Sequence, residues 1–484
     1  MSGAKTLVMK FGGTSVGTPE AFRQVASIIA SNRDEWSRIV VVTSAMAGVT
    51  NLLLEGAVQA VNSKTESIHQ IAQRLRTAHQ EVLEALLVAD LARQAQVRQE
   101  INYLVGEFVN LCQAIAVLGE ATPRALDAVA GLGERMSVRL LAAILEVQGV
   151  PAQFIEATQL IITDRNYQSA HPDLERTRSA SRNILEPILA QGKVPVVTGF
   201  IASTPEGVTT TLGRGGSDYT AALLGAVLPA DDVWIWTDVD GVMSADPRVV
   251  PGARTIPVLS YREIAEMAYF GAKVVHPKTI RPVIDAQIGL RVCNTFNPDH
   301  PGTRVVADNR VDLGTNHADT ASSIKAVTAI HDLSLVTVEG RGMLGVPGVA
   351  ARTFGAVAAT GTSVPMITQA SSEQSICFAV PIEATSRVIS SLEAAFVMEL
   401  ERKDIDRIWA TEKVTIITVV GAGMRNTPGI AGRIFSILGT NSVNVIAIAQ
   451  GSSEVAISLV VDAPDADTGL RAVHDLIVDR LDRP

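Results

Sequence analysis

The chain has 484 residues, of which 47% are hydrophobic, and a formal net charge of −9. This length predicts two to four domains, and the apolar content excludes a largely disordered chain. The acidic balance argues against a nucleic acid or an anionic membrane surface as the main partner. Cys112, Cys293 and Cys377 are widely spaced with no C-x-x-C pair. No disulfide framework or zinc site is therefore predicted.

The first strand is predicted at residues 6–11, and it runs into Gly12 and Gly13. Lys10 on this strand would place a positive charge beside open backbone N–H groups, which outlines a phosphate site without the spacing of a P-loop. The first ten residues contain no signal-peptide-like apolar stretch, and no apolar run of ~20 residues is found further on. We therefore expect a cytoplasmic protein without a membrane segment.

A second buried strand is predicted at residues 38–43, followed by a small-residue loop that carries the hydroxyls of Ser44 and Thr50. Its continuous apolar character is typical of a parallel sheet covered on both faces. Residues 52–118 have helical periodicity, and His69 and His79 are interpreted as solvated positions on that helix. Glu134 lies in the first turn of the next predicted helix, where an acid is common for dipole reasons alone.

The stretch 212–218 contains three glycines and Arg214, and it follows a strand predicted at 193–200. Glycines let backbone N–H groups approach an anion, and a guanidinium matches a carboxylate or a phosphate. Ser217 and Asp218 fall where a helix should begin, which also favours an anion site. A buried Asp218 could hold a cation such as lysine or Mg²⁺. The alternative is a tight surface turn capped by the serine and the aspartate.

A further strand at 233–237 ends in Asp238 and Asp240, and a lysine beside a glycine comes later. His276, before a proline, is interpreted as structural. Strand–loop–helix succession predicts an α/β domain, in which ligands bind outside the carboxyl ends of the strands. Cationic and acidic side chains without a Cys–His or Ser–His pairing suit phosphoryl transfer. The side chains expected at this edge are Lys10, Ser44, Arg214, Asp218, Asp238 and Lys273.

Residues 298–323 are polar and turn-rich, and an internal repeat follows them. The pattern that begins at Gly340 recurs 81 residues later at Gly421, and Gln369 recurs as Gln450. Each copy is predicted as a ferredoxin-like unit. The second copy lacks its last strand, and the spare strand at 324–330 is expected to complete it. The first copy would then be inserted within the second.

These motifs together resemble the aspartokinase family over essentially the whole chain. The tail resembles that family's tandem ACT domains and is similar to the kinase half of the bifunctional aspartokinase–homoserine dehydrogenases, so a monofunctional enzyme is expected. The implied fold is α/β, an amino-acid-kinase open αβα sandwich followed by two ferredoxin-like ACT α+β domains. The implied parts are a catalytic domain at 1–297, a linker at 298–323, a first ACT domain at 333–411, and a second at 324–332 plus 412–484. The matching motifs are 10–15, 44–51, 133–137, 213–218, 237–241 and 270–273.

The resemblance implies ATP-dependent phosphorylation of L-aspartate to 4-phospho-L-aspartate with Mg²⁺, without a protein metal site. Lys10 and Asp218 would be catalytic, with Asp218 orienting the lysine. Aspartate would be bound by Ser44, Thr50, Glu134, Arg214 and Ser217, with Glu134 facing its amino group. The nucleotide would be bound by Lys10, Gly12, Gly13, Gly216, Thr237, Asp238, Met243, Arg248 and Lys273.

One residue departs from the family pattern, since Met243 stands where many relatives carry tyrosine. A thioether packs on adenine but cannot make the hydrogen bond of a phenol. The resemblance also implies a homodimer or higher homo-oligomer through the ACT domains and an amino-acid effector near Gln369 and Gln450. A carboxamide suits a small polar amino acid, so threonine is favoured over lysine. The alternatives are another amino-acid-kinase superfamily member and a non-catalytic amino-acid sensor.

Overall fold

A computed structural model describes residues 4–271, 275, 277–307, 324–343, 346–369, 374–422, 424, 427–450 and 455–481. The chain divides into two compact units. The first comprises residues 1–242, 255–261 and 274–311, and the second comprises 243–254, 262–273 and 312–484. The division is less simple than one cut at 298–323, because two short segments of the expected catalytic domain belong to the second unit.

Both strands and helices occur throughout the described residues. The strands are β1 (Thr6–Phe11), β2 (Arg38–Thr43), β3 (Ala152–Ile155), β4 (Val194–Thr198), β5 (Ile201–Ser203), β6 (Thr209–Thr211), β7 (Asp232–Thr237), β8 (Val258–Ser260), β9 (Gly289–Asn294), β10 (Thr303–Val306), β11 (Ala326–Glu339), β12 (Met366–Gln369), β13 (Ser375–Pro381), β14 (Arg407–Val420), β15 (Ala447–Ala449) and β16 (Ala456–Asp462). The helices are α1 (Pro19–Ser31), α2 (Val49–Val61), α3 (Thr65–Leu86), α4 (Leu91–Leu118), α5 (Pro123–Ala130), α6 (Leu132–Val147), α7 (Leu174–Ala190), α8 (Gly216–Val227), α9 (Tyr261–Tyr269), α10 (Pro277–Asp285), α11 (Val349–Ala359), α12 (Thr385–Ala395), α13 (Val397–Arg402), α14 (Ile430–Thr440) and α15 (Ala466–Leu481).

The parallel part of the first unit's sheet forms from the continuous apolar strands that the sequence predicted. Its order is β3-β4-β2-β1-β7-β9-β10-β8. The strands from β3 to β9 are parallel to their neighbours, and β10 runs antiparallel to β9. Because Lys10 pairs with Val42 and Ile235, the loops after β1, β2 and β7 leave the sheet at the same edge.

Helix starts follow local capping chemistry. Thr18 accepts a hydrogen bond from the Ala21 N–H with proline at the first helical position, and Asp90 caps α4 in the same way. Such caps satisfy N–H groups that have no partner inside the helix. The region predicted as one helix over 52–118 is three helices, α2, α3 and α4. The first break, at residues 62–64, contains Ser63 with a φ of 57°. The second break, at residues 87–90, ends at the capping residue Asp90.

The prediction that His79 is solvated was wrong, whereas His69 is exposed as expected. His79 lies in the buried stripe of α3 with Leu75 and Val82, and its Nδ1 lies 2.7 Å from the Leu75 carbonyl oxygen. Burial lowers the pKa of His79 to about 4. The side chain is therefore neutral near pH 7 and acts as part of the core.

Among the described helices, α4 alone is long and apolar enough by length and composition to cross a membrane. In this fold one side of α4 packs against α2, α3 and α6. Its inward side chains include Ile101, Val105 and Phe108, which belong to the main hydrophobic core of the first unit. The helix thus contributes an apolar stripe to that core.

The second unit contains a six-stranded antiparallel sheet in the order β12-β13-β11-β14-β16-β15. Strands β11 and β14, of 14 residues each, run through both repeats. Residues 326–330 pair with 416–420 of the second repeat, and residues 333–339 pair with β13 of the first. The two repeats therefore share two continuous strands.

Two segments that precede the repeats in sequence are built into the second unit. Ala245 and Val250 join the hydrophobic core formed around α14 and α15. The buried Glu263 accepts a hydrogen bond from the Ala422 N–H at 2.6 Å and lies 2.8 Å from Lys325 Nζ. These contacts attach residues 243–254 and 262–273 to the core of the second repeat.

Candidate active site

The first unit has a cleft of about 560 Å³ at the carboxyl ends of its parallel strands. Its walls come from the loops after β1 and β2, from α5 and α6, and from the turn that starts α8. Nine of the predicted site residues line it, namely Gly13, Gly216 and seven residues with functional side chains. The seven are Lys10, Ser44, Thr50, Glu134, Arg214, Ser217 and Asp218.

The Lys10 ammonium group lies beside the Asp218 carboxylate in this cleft. Lys10 Nζ is 2.5 Å from Asp218 Oδ1, and the two side chains are 11% and 14% exposed. Lys10 comes from β1, and Asp218 comes from the first turn of α8. A long, flexible lysine is thereby fixed at one position, and its charge remains accessible from the cleft. Such a fixed cation can stabilise negative charge that develops during a group transfer.

The three glycines predicted to donate to phosphate differ in their hydrogen bonding. The Gly12 N–H donates to the Trp236 carbonyl at 3.3 Å, and the Gly216 N–H donates to the Gly213 carbonyl at 2.9 Å. Within the described residues, the Gly13 N–H makes no backbone hydrogen bond. A Cβ at residue 13 would lie 3.1 Å from the Ala45 carbonyl oxygen, so glycine allows the close approach of two loops there. Gly13 is thus the glycine of this set with a free donor.

Glu134 provides a buried carboxylate in the cleft, with only 3% of its surface exposed. Its Oε1 accepts a hydrogen bond from the Ala45 N–H at 3.2 Å, whereas Oε2 has no partner in the described part of the chain. Burial raises the pKa of Glu134 to about 7, against the opposing effect of the Ala45 hydrogen bond. A buried carboxylate oxygen without a partner is costly. It favours a cationic ligand group at this position.

The glycine-rich turn holds Arg214 between two residues in the left-handed region, Gly213 with a φ of 77° and Gly215 with a φ of 71°. These angles are strained for other residues, so glycine is required on both sides. A hairpin of β5 and β6 leads into the turn, which therefore does not follow β4 directly as the sequence suggested. Arg214 is exposed, and its guanidinium forms no hydrogen bond or ion pair with the described residues.

The residues predicted to bind nucleotide are divided between the two units. Thr237 and Asp238 lie at the end of β7 in the first unit, where Thr237 Oγ1 donates to Asp238 Oδ1 at 3.1 Å. Met243 and Arg248 belong to the second unit, where Arg248 forms an exposed ion pair with Asp246 at 2.5 Å. Lys273 lies outside the described residues.

Several residues of the cleft, among them Phe200, Asp127, Gln168 and Thr211, had no signal in the sequence that singled them out. Phe200 has a φ of 67°, which is uncommon for a residue with a side chain. Asp127 is 2% exposed, and its carboxylate joins two segments distant in sequence, the loop at Gln168 and the loop that begins at Thr211, the last residue of β6. Burial raises the pKa of Asp127, and its hydrogen bonds oppose that rise. A contact over 84 residues, such as that of Asp127 with Thr211, cannot be read from local spacing.

The predicted effector residues occupy equivalent places in the second unit. Gln369 ends β12 and Gln450 follows β15, and both are exposed. These two edge strands contact each other. Gly348 and Gly429, with φ of 92° and 86°, are the N-caps of α11 and α14, the helices that follow them. The Ser-Ser-Glu stretches after the two glutamines, at 371–373 and 452–454, lie outside the described residues.

Comparison with known proteins identified two kinds of domain. The profile of the amino acid kinase family matches residues 5–294, and an ACT domain profile matches residues 336–396 and 417–476. The chain is 39% identical over 477 residues to the chloroplastic bifunctional aspartokinase/homoserine dehydrogenase 1 of Zea mays, covering 96% of this chain and 50% of that protein. It is 32% identical to the aspartokinase of Schizosaccharomyces pombe, covering 98% of this chain and 93% of that protein. The chain spans about half the length of the bifunctional relatives it matches.

Two solved structures of Escherichia coli aspartokinase III are similar to the whole fold. The complex with aspartate and ADP, in the R-state, has a TM-score of 0.81 at 30% identity and covers 98% of this chain and 100% of that one. The complex with lysine and aspartate, in the T-state, has a TM-score of 0.74 at 31% identity and covers 98% and 99%. The likeness extends over both units.

Proposed function

This chain belongs to the aspartokinase family, and from that premise we propose that it transfers the γ-phosphoryl group of ATP to the side-chain carboxylate of L-aspartate. The products are ADP and 4-phospho-L-aspartate. The observation that carries the proposal is one cleft that holds the fixed Lys10 cation, the Arg214 guanidinium and Glu134 Oε2, the last two without a partner among the described residues. An amino acid with two carboxylates and one ammonium group matches these three charges.

Each group has a distinct part in the proposed reaction. Glu134 Oε2 accepts a hydrogen bond from the ammonium group of aspartate, and Arg214 binds a substrate carboxylate through its planar fork. Ser44, Thr50 and Ser217 complete the polar wall with hydroxyls. Lys10, held by Asp218, stabilises the charge on the phosphoryl oxygens as the transfer proceeds. The attacking nucleophile is a carboxylate oxygen, so no side chain has to remove a proton from it.

The nucleotide is assigned to Gly13, Thr237 and Asp238 in the first unit, with the contributions of Met243, Arg248 and Lys273 kept as predictions. Within the described residues, no group of three or more acidic, histidine or cysteine side chains could chelate a metal. We include in the proposal Mg²⁺ that would arrive with ATP and be held chiefly by phosphate oxygens. When bound, Mg²⁺ neutralises phosphate charge.

The proposed activity is tested by coupled measurement of ADP release with aspartate, glutamate, N-acetylglutamate and UMP as alternative acceptors. Aspartate should be the preferred acceptor, and Lys10→Ala should abolish turnover. Preference for another acceptor would assign the chain to a different activity within the amino acid kinase family. No turnover with any acceptor would favour the amino-acid sensor.

The regulatory part of the proposal is feedback inhibition by L-threonine, with L-lysine as the second candidate. It is supported by Gln369 and Gln450 at the ends of two adjacent, exposed edge strands, because a carboxamide both donates and accepts hydrogen bonds. Neither glutamine supplies an anion for a lysine ammonium group. The lysine complex of the Escherichia coli enzyme supports the second candidate. As the resemblance to the family implies, we include a homodimer or higher homo-oligomer through the ACT domains in the proposal.

The effector assignment predicts a separation of regulation from catalysis. Gln369→Ala and Gln450→Ala should retain the basal rate, because both side chains lie in the second unit, and should lose much of the inhibition by threonine. Dose–response curves for threonine and lysine on the wild type and both variants would measure this. Inhibition by lysine alone, or variants as sensitive as wild type, would contradict it.

A further inference from the structure

Asp127 has an unusual environment for a carboxylate at the wall of a cleft that is proposed to bind anionic groups. Both of its oxygens accept from the Gln168 N–H, at 3.1 and 3.0 Å. Oδ2 also accepts from the Thr211 N–H at 3.0 Å, and Oδ1 accepts from Thr211 Oγ1 at 2.8 Å. All of these donors are uncharged. The carboxylate is therefore occupied by the protein backbone and one hydroxyl.

These hydrogen bonds join two loops into one block. Gln168 has a φ of 69°, a conformation that a glutamine adopts only when its surroundings hold it there. The Ala170 N–H donates to the Thr211 carbonyl at 2.9 Å, which ties the same two loops a second time. A Cβ at Gly213 would lie 2.9 Å from the Gln168 carbonyl oxygen. Gly213 thus packs directly on the loop that Asp127 fixes.

Arg214 is the next residue along this block. Its guanidinium has no partner among the described residues, so the backbone beneath it determines where its charge is presented. We propose that Asp127 is a positioning residue for substrate recognition, which holds the Gln168 and Thr211 loops so that Arg214 meets the carboxylate of aspartate. This inference rests on the proposed function. Asp127 itself contacts neither substrate nor nucleotide in this scheme.

Two substitutions separate positioning from charge. In Asp127→Asn, the amide oxygen can occupy the Oδ2 position and accept from both N–H groups, while the amide NH₂ donates to Thr211 Oγ1. Asp127→Ala removes every one of these hydrogen bonds. We expect Asp127→Ala to raise KM for aspartate by about 10-fold or more, with KM for ATP within about 2-fold of wild type. Asp127→Asn should stay within about 3-fold of wild type for both substrates.

A double-mutant cycle tests whether the effect passes through Arg214. If it does, Asp127→Ala should change KM for aspartate by less than about 2-fold in an Arg214→Ala background, because the group being positioned is absent. Additive effects in that background would overturn the proposal, as would an Asp127→Asn variant as impaired as Asp127→Ala. A lowered KM in Asp127→Asn would also overturn it, since that would identify the carboxylate as a repulsive charge.

A milder variant and a matched control complete the experiment. Thr211→Val removes one hydroxyl donor and should raise KM for aspartate by about 2- to 5-fold, which keeps the proposal testable if Asp127→Ala does not fold. Asp232→Ala removes a half-buried carboxylate that accepts from Trp234 Nε1 at the amino end of β7. This control should leave both KM values unchanged.

If Arg214→Ala alone has no effect on KM for aspartate, the assignment of Arg214 in the proposed function fails. If Arg214→Ala is impaired and Thr211→Val and Asp127→Ala are not, only the positioning role fails.

Discussion

Glu134→Gln replaces the buried carboxylate by a neutral group of the same shape, and it should weaken aspartate binding while it stabilises the free protein. The glutamine oxygen can still accept from the Ala45 N–H, so the local structure is kept. The variant loses the charge that faces the substrate ammonium group. Hydrogen bonds to charged groups contribute about 1.5–3 kcal/mol, which corresponds to roughly a 10- to 150-fold rise in KM for aspartate.

The stability effect follows from the raised pKa of Glu134. An acid with a higher pKa in the folded chain binds its proton more tightly when folded, so its contribution to stability falls as the pH rises from 4.5 to about 7. Above that range the folded protein holds an unfavourable buried charge. The shift corresponds to about 3 kcal/mol. Glu134→Gln should therefore have a higher Tm than wild type at pH 8, and this advantage should disappear near pH 4.5.

The assays are steady-state ADP release at several aspartate concentrations from pH 6 to pH 9, and thermal melting over a wider pH range. In the wild type, KM for aspartate should rise as the pH falls below about 7, because the carboxylate becomes protonated. In Glu134→Gln, KM should be high and should lack that rise. Asp232→Asn is the control, since burial also raises the pKa of Asp232 but the residue lies at the amino end of β7. A Glu134→Gln variant with normal KM, or one with a lower Tm at pH 8, would refute the reasoning.

Three further predictions concern other parts of the chain. Lys10→Ala should lower kcat by several orders of magnitude, while ATP still binds to the variant in equilibrium titration. Lys5→Ala, just before the same strand, is the lysine control. A defect confined to KM for ATP would assign Lys10 a different role. Arg214→Lys keeps the charge but loses the planar fork, so kcat/KM for aspartate should fall roughly 10-fold or more, and a near-normal value would place Arg214 outside the substrate site. A fragment of residues 412–484 lacks the strand segment 326–330 that pairs with β14, so it should melt without a cooperative transition in circular dichroism. A sharp transition would contradict the arrangement in which both repeats share β11 and β14.

The parts of the fold that could be predicted are those with a local cause. Strands β1 and β2 follow from unbroken apolar runs, and α1 follows from a threonine cap with proline after it. The glycines that flank Arg214 indicated a tight turn before a helix. In each case the physical signal lies within a few residues.

The parts that could not be predicted depend on tertiary contacts. The prediction for His79 was wrong because its polar residue type favours an exposed site. Its position relative to Ala72, Leu75 and Val82 places it in the buried stripe of the helix instead. Asp127 needed its distant partners to acquire a role. The hydrogen bonds of the Gly12 and Gly216 N–H groups to nearby carbonyls were equally invisible, since glycine spacing indicates where backbone donors lie but not whether they are free.

The continuity of β11 and β14 through both repeats has a consequence for local unfolding. Separating one repeat from the other would require parting these two strands, whose pairing extends from residue 326 to residue 339 of β11 with a β-bulge between Ile330 and Ser334. The repeats should therefore open as one cooperative unit, and amides in both halves of β11 should exchange with solvent at similar free energies of opening. A ligand that binds at the helix-start turn of either repeat, at Gly348 or at Gly429, would then slow amide hydrogen exchange in both repeats. Because binding at one turn stabilises the sheet that both repeats share, it would couple the two turns energetically without a change in the structure of the sheet.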